Sequence, residues 1–346
     1  MPASATVVGA GIAGLACALE LAEAGLAVTV LDKGRHPGGR VAARHIGDLV
    51  FNHGAQFATA RAAPFAQVLQ DLQDEGCAAR WPQAGGKGQR ISFAPDMSAL
   101  PRALAQRAGA RGVRILQERQ ASYLHAHAQG WQVRHHGAAQ ITPGATQPDG
   151  GDLGPPMTLV CIALPPLQAA ALLGTAGHPF AAEVGQARMA PCWAVMAGFA
   201  TRLDLPDTLE LPTASLAWFA RENSRPGNAE HRPVLQGQHG AQVIDHWTLH
   251  ATATWSNAHL EDAAPRVIET LLAEFLPFAQ APDTPVPFAQ AHRWRYALVE
   301  QALGQSCLWD GRARLGACGD WCLGGRLEAA YDSGQALARA ALATLA

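Results

Sequence analysis

Three glycines near the start of the chain, Gly9, Gly11 and Gly14, have the spacing of a turn that binds a dinucleotide. The first permits a tight turn, the second lets the main chain approach a pyrophosphate, and the third lets a helix pack close to a strand. Asp32 ends the next apolar run, where its carboxylate can accept a hydrogen bond from a ribose hydroxyl and disfavours a 2′-phosphate. These residues predict a site for FAD or NAD rather than NADP, and they leave the choice between FAD and NAD open.

The residues around these glycines predict a strand, helix, strand unit. Residues 5–8 and 26–31 are apolar runs, and residues 12–24 between them are rich in Ala and Leu. Such a helix would direct its unpaired amino-terminal N–H groups at the phosphates. The later run "MTLVCIALPP" is continuously apolar, which is typical of a strand in a buried parallel sheet.

The rest of the chain favours two domains. The carboxyl-terminal segment predicts a strand, a Gly-rich turn and a long helix, whereas residues 180–293 hold strand-like runs and one helical pattern. We therefore predict an α/β fold, a Rossmann-like domain with an inserted mixed β-sheet substrate domain. The predicted bounds are 1–60, 96–175 and 294–346 for the Rossmann-like domain, and 61–95 and 176–293 for the substrate domain. Residues 137–156, dense in Gly and Pro, are predicted to be a mobile surface loop.

Composition narrows the class of protein. The 346 residues are 49% hydrophobic and 16% charged, with a formal net charge of −2, which favours neither a nucleic-acid partner nor a membrane surface. The seven scattered cysteines lack the paired spacing of a zinc site, so we expect reduced thiols, no metal and a cytoplasmic location.

Two further segments, "PGGR" and "CGDWCLGGRLEAAYDSG", together resemble the flavin amine oxidase superfamily. The ordered blocks "FNHGAQFATAR", "LAWFARENSRPG" and "AHRWRYA" are similar to bacterial renalase and its relatives within that superfamily. The resemblance implies a fold of the p-hydroxybenzoate hydroxylase or amine oxidase type and a non-covalently bound FAD. It also implies an oxidase that returns 2- or 6-dihydro-NAD(P) to NAD(P)+ by hydride transfer to flavin N5, with oxygen reduced to hydrogen peroxide.

The glycine turn and the resemblance together predict two sets of site residues. The cofactor set is Gly9, Gly11, Ile12, Ala13, Gly14, Asp32, Lys33, Gly39, Arg40, Gly54, Ala55, Gln56, Phe57, Gly319, Asp320, Glu328 and Ala329. The catalytic set is Gln56, Asn223, His250, Trp294 and Arg326.

The chemistry expected of the catalytic set follows from residue type. Gln56 could hydrogen-bond near flavin N5, Asn223 could bind a carboxamide, and Trp294 could stack on a pyridine ring. His250 and the neighbouring Arg221 could meet a pyrophosphate. Arg326 stands where amine oxidases carry a Tyr, and a guanidinium there disfavours an ammonium substrate.

The sequence departs from the related pattern "FDHGAQYFTAR" at three positions, Asn52, Phe57 and Ala58, and so lacks one acid and one phenol. This departure puts substrate preference in doubt. Two alternatives therefore stay open: a flavin amine oxidase or desaturase, and a flavin-binding protein without catalytic activity.

Overall fold

The computed structural model describes residues 3–85, 88–137, 151–210, 213–226, 234–237 and 240–345. They form two compact units. Unit 1 comprises residues 1–39, 100–189 and 299–346, and unit 2 comprises residues 40–99 and 190–298. The predicted bounds differ from this division in two ways. Residues 40–60, 96–99 and 294–298 were predicted for the Rossmann-like domain but belong to unit 2, and residues 176–189 were predicted for the substrate domain but belong to unit 1.

The strands and helices of the described residues are numbered in chain order. The strands are β1 (Ser4–Val8), β2 (Ala27–Leu31), β3 (Arg44–Ile46), β4 (Leu49–Phe51), β5 (Ala78–Arg80), β6 (Ile91–Phe93), β7 (Arg114–Leu116), β8 (Arg119–His127), β9 (Gly130–Gly137), β10 (Asp152–Leu153), β11 (Leu159–Ile162), β12 (Arg188–Phe199), β13 (Thr208–Glu210), β14 (Leu216–Arg221), β15 (Val234–Gly237), β16 (Gly240–Val243), β17 (Asp245–Ala251), β18 (Phe288–Gln301), β19 (Leu308–Asp310) and β20 (Leu315–Ala317). The α-helices are α1 (Ile12–Glu23), α2 (Ala63–Asp74), α3 (Ala99–Ala110), α4 (Pro166–Thr175), α5 (Phe180–Val184), α6 (Ala253–Ala258), α7 (Ala264–Phe278), α8 (Asp320–Leu323) and α9 (Leu327–Ala343).

Unit 1 is built on a sheet with the strand order β19-β20-β11-β1-β2-β7. All neighbouring pairs in it are parallel except β19 with β20. The predicted apolar run does return to this sheet, because β11 pairs with β1 from Ala5↔Leu159 to Val8↔Ile162. All four residues of β11 are buried, as expected for a strand covered on both faces.

The two ends of the chain meet in unit 1, where α9 packs on α1. A Cβ added at Gly334, in the middle of α9, would overlap the main chain of Ala13 on α1. The absence of a side chain at Gly334 therefore lets the two helix backbones approach closely.

A smaller antiparallel sheet, β10-β9-β8, completes unit 1. Its strands β8 and β9 pair from Arg119↔Gly137 to His127↔Gly130. Most of the predicted loop 137–156 lies outside the described residues.

Unit 2 contains an antiparallel sheet with the order β13-β14-β17-β12-β18. The predicted helix α7 buries Val267, Leu271 and Phe275 in the core that this sheet helps to form. Strand β17 ends before Thr252, which caps α6 by accepting a hydrogen bond from the Trp255 N–H. The mixed α/β fold with a Rossmann-like parallel sheet and further antiparallel sheets is confirmed.

Within the described ranges, no helix has the length and apolar character needed to cross a membrane. All seven cysteines are free thiols. Burial raises the pKa of Cys322 to about 12, which keeps its thiol protonated at neutral pH.

Candidate functional site

The turn between β1 and α1 depends on two of its glycines for steric reasons. Gly9 has φ of 107°, and its N–H donates to the Leu31 carbonyl at 2.7 Å. A Cβ at Gly9 would overlap the Ala163 carbonyl, and one at Gly14 would overlap the Gly9 carbonyl. Both positions exclude a side chain because the protein itself fills the space.

Gly11 differs, because an added Cβ would meet nothing within 4 Å. It is the N-cap of α1, with ordinary extended dihedrals, so backbone strain does not require a glycine there. The empty space in front of Gly11 is what a main chain that approaches a pyrophosphate needs. Ile12 and Ala13 follow it as the first residues of the helix, where backbone N–H groups have no helical partner.

The "PGGR" turn lies beside this space. The Gly38 N–H donates to the Ala10 carbonyl at 2.9 Å, and Gly11 and Gly38 form a parallel bridge. A Cβ built on Gly39, whose φ is 57°, would lie 3.7 Å from the Cα of Gly11. The two glycine turns therefore form one small-residue surface in unit 1.

The carboxylate of Asp32 is fixed at the end of β2. Its Oδ2 accepts the Ala10 N–H and its Oδ1 accepts the Gly34 N–H, both at 2.6 Å. Each carboxylate oxygen has a further lone pair, so Asp32 can still accept from a ribose hydroxyl. Lys33, the next residue, is exposed.

The second predicted cofactor element surrounds the start of α9. The Gly319 N–H donates to the Ser333 hydroxyl at 3.0 Å, and the buried Asp320 begins α8. Arg326 is the N-cap of α9, and Glu328 and Ala329 in the first turn are buried. The Arg326 Nη2 lies 3.6 Å from the Glu328 Oε2, and the Arg326 side chain is 41% exposed.

Unit 1 therefore brings together the features that a flavin dinucleotide needs. They are an open space at Gly11, the amino terminus of α1, a fixed carboxylate at Asp32, and the amino terminus of α9 with an acid before it. Positive helix termini stabilise phosphate and reduced-flavin charge. The residues present thus fit FAD.

Unit 2 holds a group of rings around His53. The His53 carbonyl accepts hydrogen bonds from the His250 Nε2–H at 3.2 Å and the Trp294 Nε1–H at 2.9 Å. The His53 ring stacks on Trp294, with centroids 5.3 Å apart and planes 22° apart. The His292 ring lies 4.8 Å from His53 and 4.3 Å from Trp294, edge-on to both. Two predicted residues, His250 and Trp294, are thus brought together by a carbonyl that the sequence did not single out.

The imidazoles of this group are neutral at pH 7. Burial, with Arg44 and His292 nearby, lowers the pKa of His53 to about 3. Burial also lowers the pKa of His250 and of His292 to about 4. Because the His250 Nε2 carries the proton, its Nδ1 has a free lone pair and can accept a hydrogen bond.

Gln56 does not have the free side chain that a flavin contact requires. Its Nε2 donates to the Asn52 carbonyl at 2.5 Å and to the Gly54 carbonyl at 3.0 Å. Its Oε1 accepts from Arg225 at 2.7 Å and from Trp218 at 3.3 Å. Protein groups bind both amide protons and both oxygen lone pairs of Gln56. Its side chain therefore stabilises the turn in which it lies.

The main chain beside Gln56 is tightly packed. The Ala55 N–H donates to the Arg40 carbonyl at 3.0 Å, and a Cβ at Gly54 would overlap that same carbonyl. The Phe57 ring lies under the Arg90 guanidinium, with 4.2 Å from Cζ to the ring centroid. Arg40, Gly54, Ala55 and Phe57 belong to unit 2, whereas the residues of the glycine turn belong to unit 1.

The arginines of "ARENSRPG" are neither solvated nor free to bind a pyrophosphate. Arg221 is buried in ion pairs with Asp207 and Asp245, the latter at 2.9 Å. Arg225 is fully buried and paired with Glu222 at 2.7 Å. Asn223 lies between them in a half-buried 3₁₀ turn. Short-range sequence patterns did not reveal these pairings, because the partners of Arg221 come from other segments.

Four residues that shape these surroundings escaped the sequence argument: His53, Glu222, His292 and Gly334. A glycine inside a long apolar-faced helix was the available signal for Gly334. His292 and Trp294 alternate on β18, which was a signal for a shared face. Glu222 and the His53 carbonyl gave no signal in the sequence.

Comparisons with known proteins agree with this architecture. A family model described as an NAD(P)-binding Rossmann-like domain matches residues 7–72. A candidate protoporphyrinogen oxidase from Exiguobacterium sp. 255-15 is 11% identical and superposes with a TM-score of 0.71, covering 100% of this chain and 99% of that chain. An oxidoreductase from Methanosarcina mazei is 12% identical with a TM-score of 0.62, covering 96% and 99%. These likenesses show the fold, and the family match shows a dinucleotide-binding type of domain at the amino terminus.

Proposed function

We propose that this chain is an FAD-dependent oxidase resembling renalase, which oxidises 2- or 6-dihydro-NAD(P) to NAD(P)+ and passes the electrons to oxygen. The open space at Gly11, beside the fixed carboxylate of Asp32, carries the proposal. At Gly9 and Gly14, in the same turn, protein atoms occupy the position of an added Cβ.

The residues proposed to hold FAD are those of unit 1. Gly11, Ile12 and Ala13 would bind the pyrophosphate through their main chain, and Asp32 would bind a ribose hydroxyl. Asp320 and the first turn of α9 would contact the flavin half, where the helix terminus stabilises negative charge. Bound FAD would supply the hydride acceptor and the route of electrons to oxygen.

The residues proposed to bind the substrate ring are His250 and Trp294. Trp294 offers an indole face for stacking, and the unprotonated Nδ1 of His250 can accept an N–H of the substrate carboxamide. The ring nitrogen lone pair of a dihydropyridine drives hydride loss, so the reaction needs positioning rather than a strong acid or base. Neutral imidazoles around His53 suit an uncharged ring of this kind.

The names of proteins with this fold support an oxidoreductase. One is described as a protoporphyrinogen oxidase and one as an oxidoreductase. The first name favours a second candidate function, the oxidation of a porphyrinogen-type substrate by the same cofactor.

Anaerobic stopped-flow mixing tests the proposal. We expect 6-dihydro-NAD or 2-dihydro-NAD to bleach the oxidised flavin within seconds, while ordinary NADH, a primary amine and a porphyrinogen leave it yellow. Bleaching by the amine or by the porphyrinogen alone would assign the chain to that substrate instead. A flavin that no compound reduces, and that reoxidises slowly in air after dithionite, would indicate a non-catalytic flavin protein.

A further inference from the structure

The turn from Asn52 to Gln56 in unit 2 is tied at both ends to one buried ion pair. Glu222 and Arg225 are 0% exposed, with 2.7 Å from the Arg225 Nε to the Glu222 Oε2. At the first end, Asn52 donates its backbone N–H to Glu222 at 2.9 Å and its side-chain Nδ2–H at 2.8 Å. The Thr248 hydroxyl donates to the same carboxylate at 2.5 Å.

At the other end, Arg225 holds Gln56. Its Nη1 donates to the Gln56 carbonyl at 2.6 Å and its Nη2 to the Gln56 Oε1 at 2.7 Å. The Gln56 Nε2 then closes the turn on the Asn52 carbonyl. The guanidinium also lies 4.1 Å from the centroid of the Trp81 ring. Burying two charges is tolerable here because their polar groups are so fully satisfied.

His53 lies inside this clamped turn, and its carbonyl accepts from both His250 and Trp294. Any shift of the turn would move that carbonyl and release the two N–H donors. The orientation of the two rings proposed to bind substrate therefore depends on a charge pair that touches neither of them.

The chemistry at position 52 is set by Glu222. A carboxylate only accepts hydrogen bonds, so the residue facing it must donate, and the Asn52 amide does. An Asp at this position would put two carboxylates within about 3 Å of each other, which is strongly unfavourable unless one is protonated.

We propose that Glu222 is a positioning residue: through Arg225 and the turn Asn52–Gln56 it orients His250 and Trp294. The effect on substrate rests on the proposed function, but the coupling between positions 52 and 222 does not. The effects of changing the two positions on stability should then be non-additive.

A double-mutant cycle tests the coupling. Glu222→Gln leaves Arg225 buried without a counter-charge, and Asn52→Asp crowds two carboxylates, so each should lower Tm by roughly 10 °C. In N52D/E222Q the two carboxylates no longer face each other, so its loss of Tm should be clearly smaller than the sum of the two single losses. An Asn52→Asp variant that fails to fold beside a double variant that folds would give the same answer. Additive losses would overturn the coupling.

Two readouts separate positioning from general stability. Selective ¹⁵N-histidine NMR should show the Nε2–H form of His250 lost in each folded single variant. KM for the dihydronicotinamide should rise about tenfold or more in the single variants. Asp245→Asn is the matched control, because it breaks the other buried ion pair of unit 2 and should lower Tm without changing the His250 signal.

If the wild-type protein oxidises no dihydronicotinamide, the proposed function is wrong. The NMR signal of His250 and the double-mutant cycle in Tm would still test the positioning role of Glu222. An unchanged His250 signal in Glu222→Gln would overturn that role even if the oxidase activity is found.

Discussion

Gly11 and Gly14 are chemically identical residues with different reasons to be glycine. Protein atoms already fill the space beside Gly14, whereas nothing lies near a Cβ at Gly11. Gly14 is thus required by folding, and the space at Gly11 is available for a ligand. A sequence motif cannot separate these two causes, but the surroundings of each Cα can.

This difference gives a prediction at the residue scale. Gly11→Ala should leave the free energy of unfolding of the apoprotein within about 1 kcal/mol of wild type, yet abolish measurable FAD binding because the methyl group occupies the pyrophosphate position. Gly14→Ala should instead lower the free energy of unfolding by about 3 kcal/mol or more, because its methyl group overlaps the Gly9 carbonyl. Urea unfolding of the apoproteins and titration with FAD would measure both effects. Normal FAD affinity in Gly11→Ala would mean that the open space is not the cofactor site.

At the scale of elements, close packing of α1 and α9 is the feature that joins the two ends of the chain in unit 1. Gly334→Ala should raise the helix propensity of α9 by about 1 kcal/mol, but its Cβ would overlap the Ala13 main chain. We therefore expect a net loss of about 1–3 kcal/mol in the free energy of unfolding.

The control for this substitution is Gly109→Ala in α3. Gly109 is an exposed helix residue with open space at its Cβ, so alanine should stabilise the protein by up to about 1 kcal/mol. Urea denaturation of the two variants should give changes of opposite sign. Equal stabilisation by both would show that α9 does not need the close approach.

The ring group of unit 2 predicts how stability depends on pH. His53, His250 and His292 have folded-state pKa values of about 3, 4 and 4, below the value of about 6.5 expected in the unfolded chain. As the pH falls below about 6.5, the unfolded state takes up these protons and the folded state does not. The free energy of unfolding should therefore be greatest above this pH and fall towards pH 4, by up to about 1.4 kcal/mol per pH unit for each fully buried ring.

Urea unfolding between pH 7.5 and 5 would measure this slope. His250→Gln keeps an N–H donor for the His53 carbonyl but removes one titrating group, so its slope should be shallower. The same substitution at the exposed His125 should leave the slope unchanged. Equal slopes in His250→Gln and wild type would contradict a buried neutral His250.

At the scale of the whole molecule, the features that depend on residues close together along the chain were predictable from the sequence. The glycine turn, α1 and the buried strand β11 follow from steric needs and apolar runs within about ten residues. The helices α7 and α9 follow from their periodic patterns for the same reason. Residue type and spacing thus predicted the Rossmann-like part.

The sequence could not show interactions whose partners come from distant segments. The sequence could not reveal that the Glu222–Arg225 pair is buried, because its other partners, Asn52 and Gln56, lie about 170 residues away along the chain. The same separation hid the commitment of the Gln56 side chain, which the sequence left available for a flavin. The His53 carbonyl was hidden because every residue has a carbonyl, and only the fold decides which one accepts the His250 and Trp294 N–H groups.

The flavin content of the purified protein tests the central claim most directly. Denaturation of the purified protein should release FAD. Titration of the apoprotein with FAD should saturate at one FAD per chain and give the absorption spectrum of an oxidised flavin. Apoprotein that binds no FAD, or binds it equally well after Gly11→Ala, would contradict the assignment of unit 1 as the flavin site.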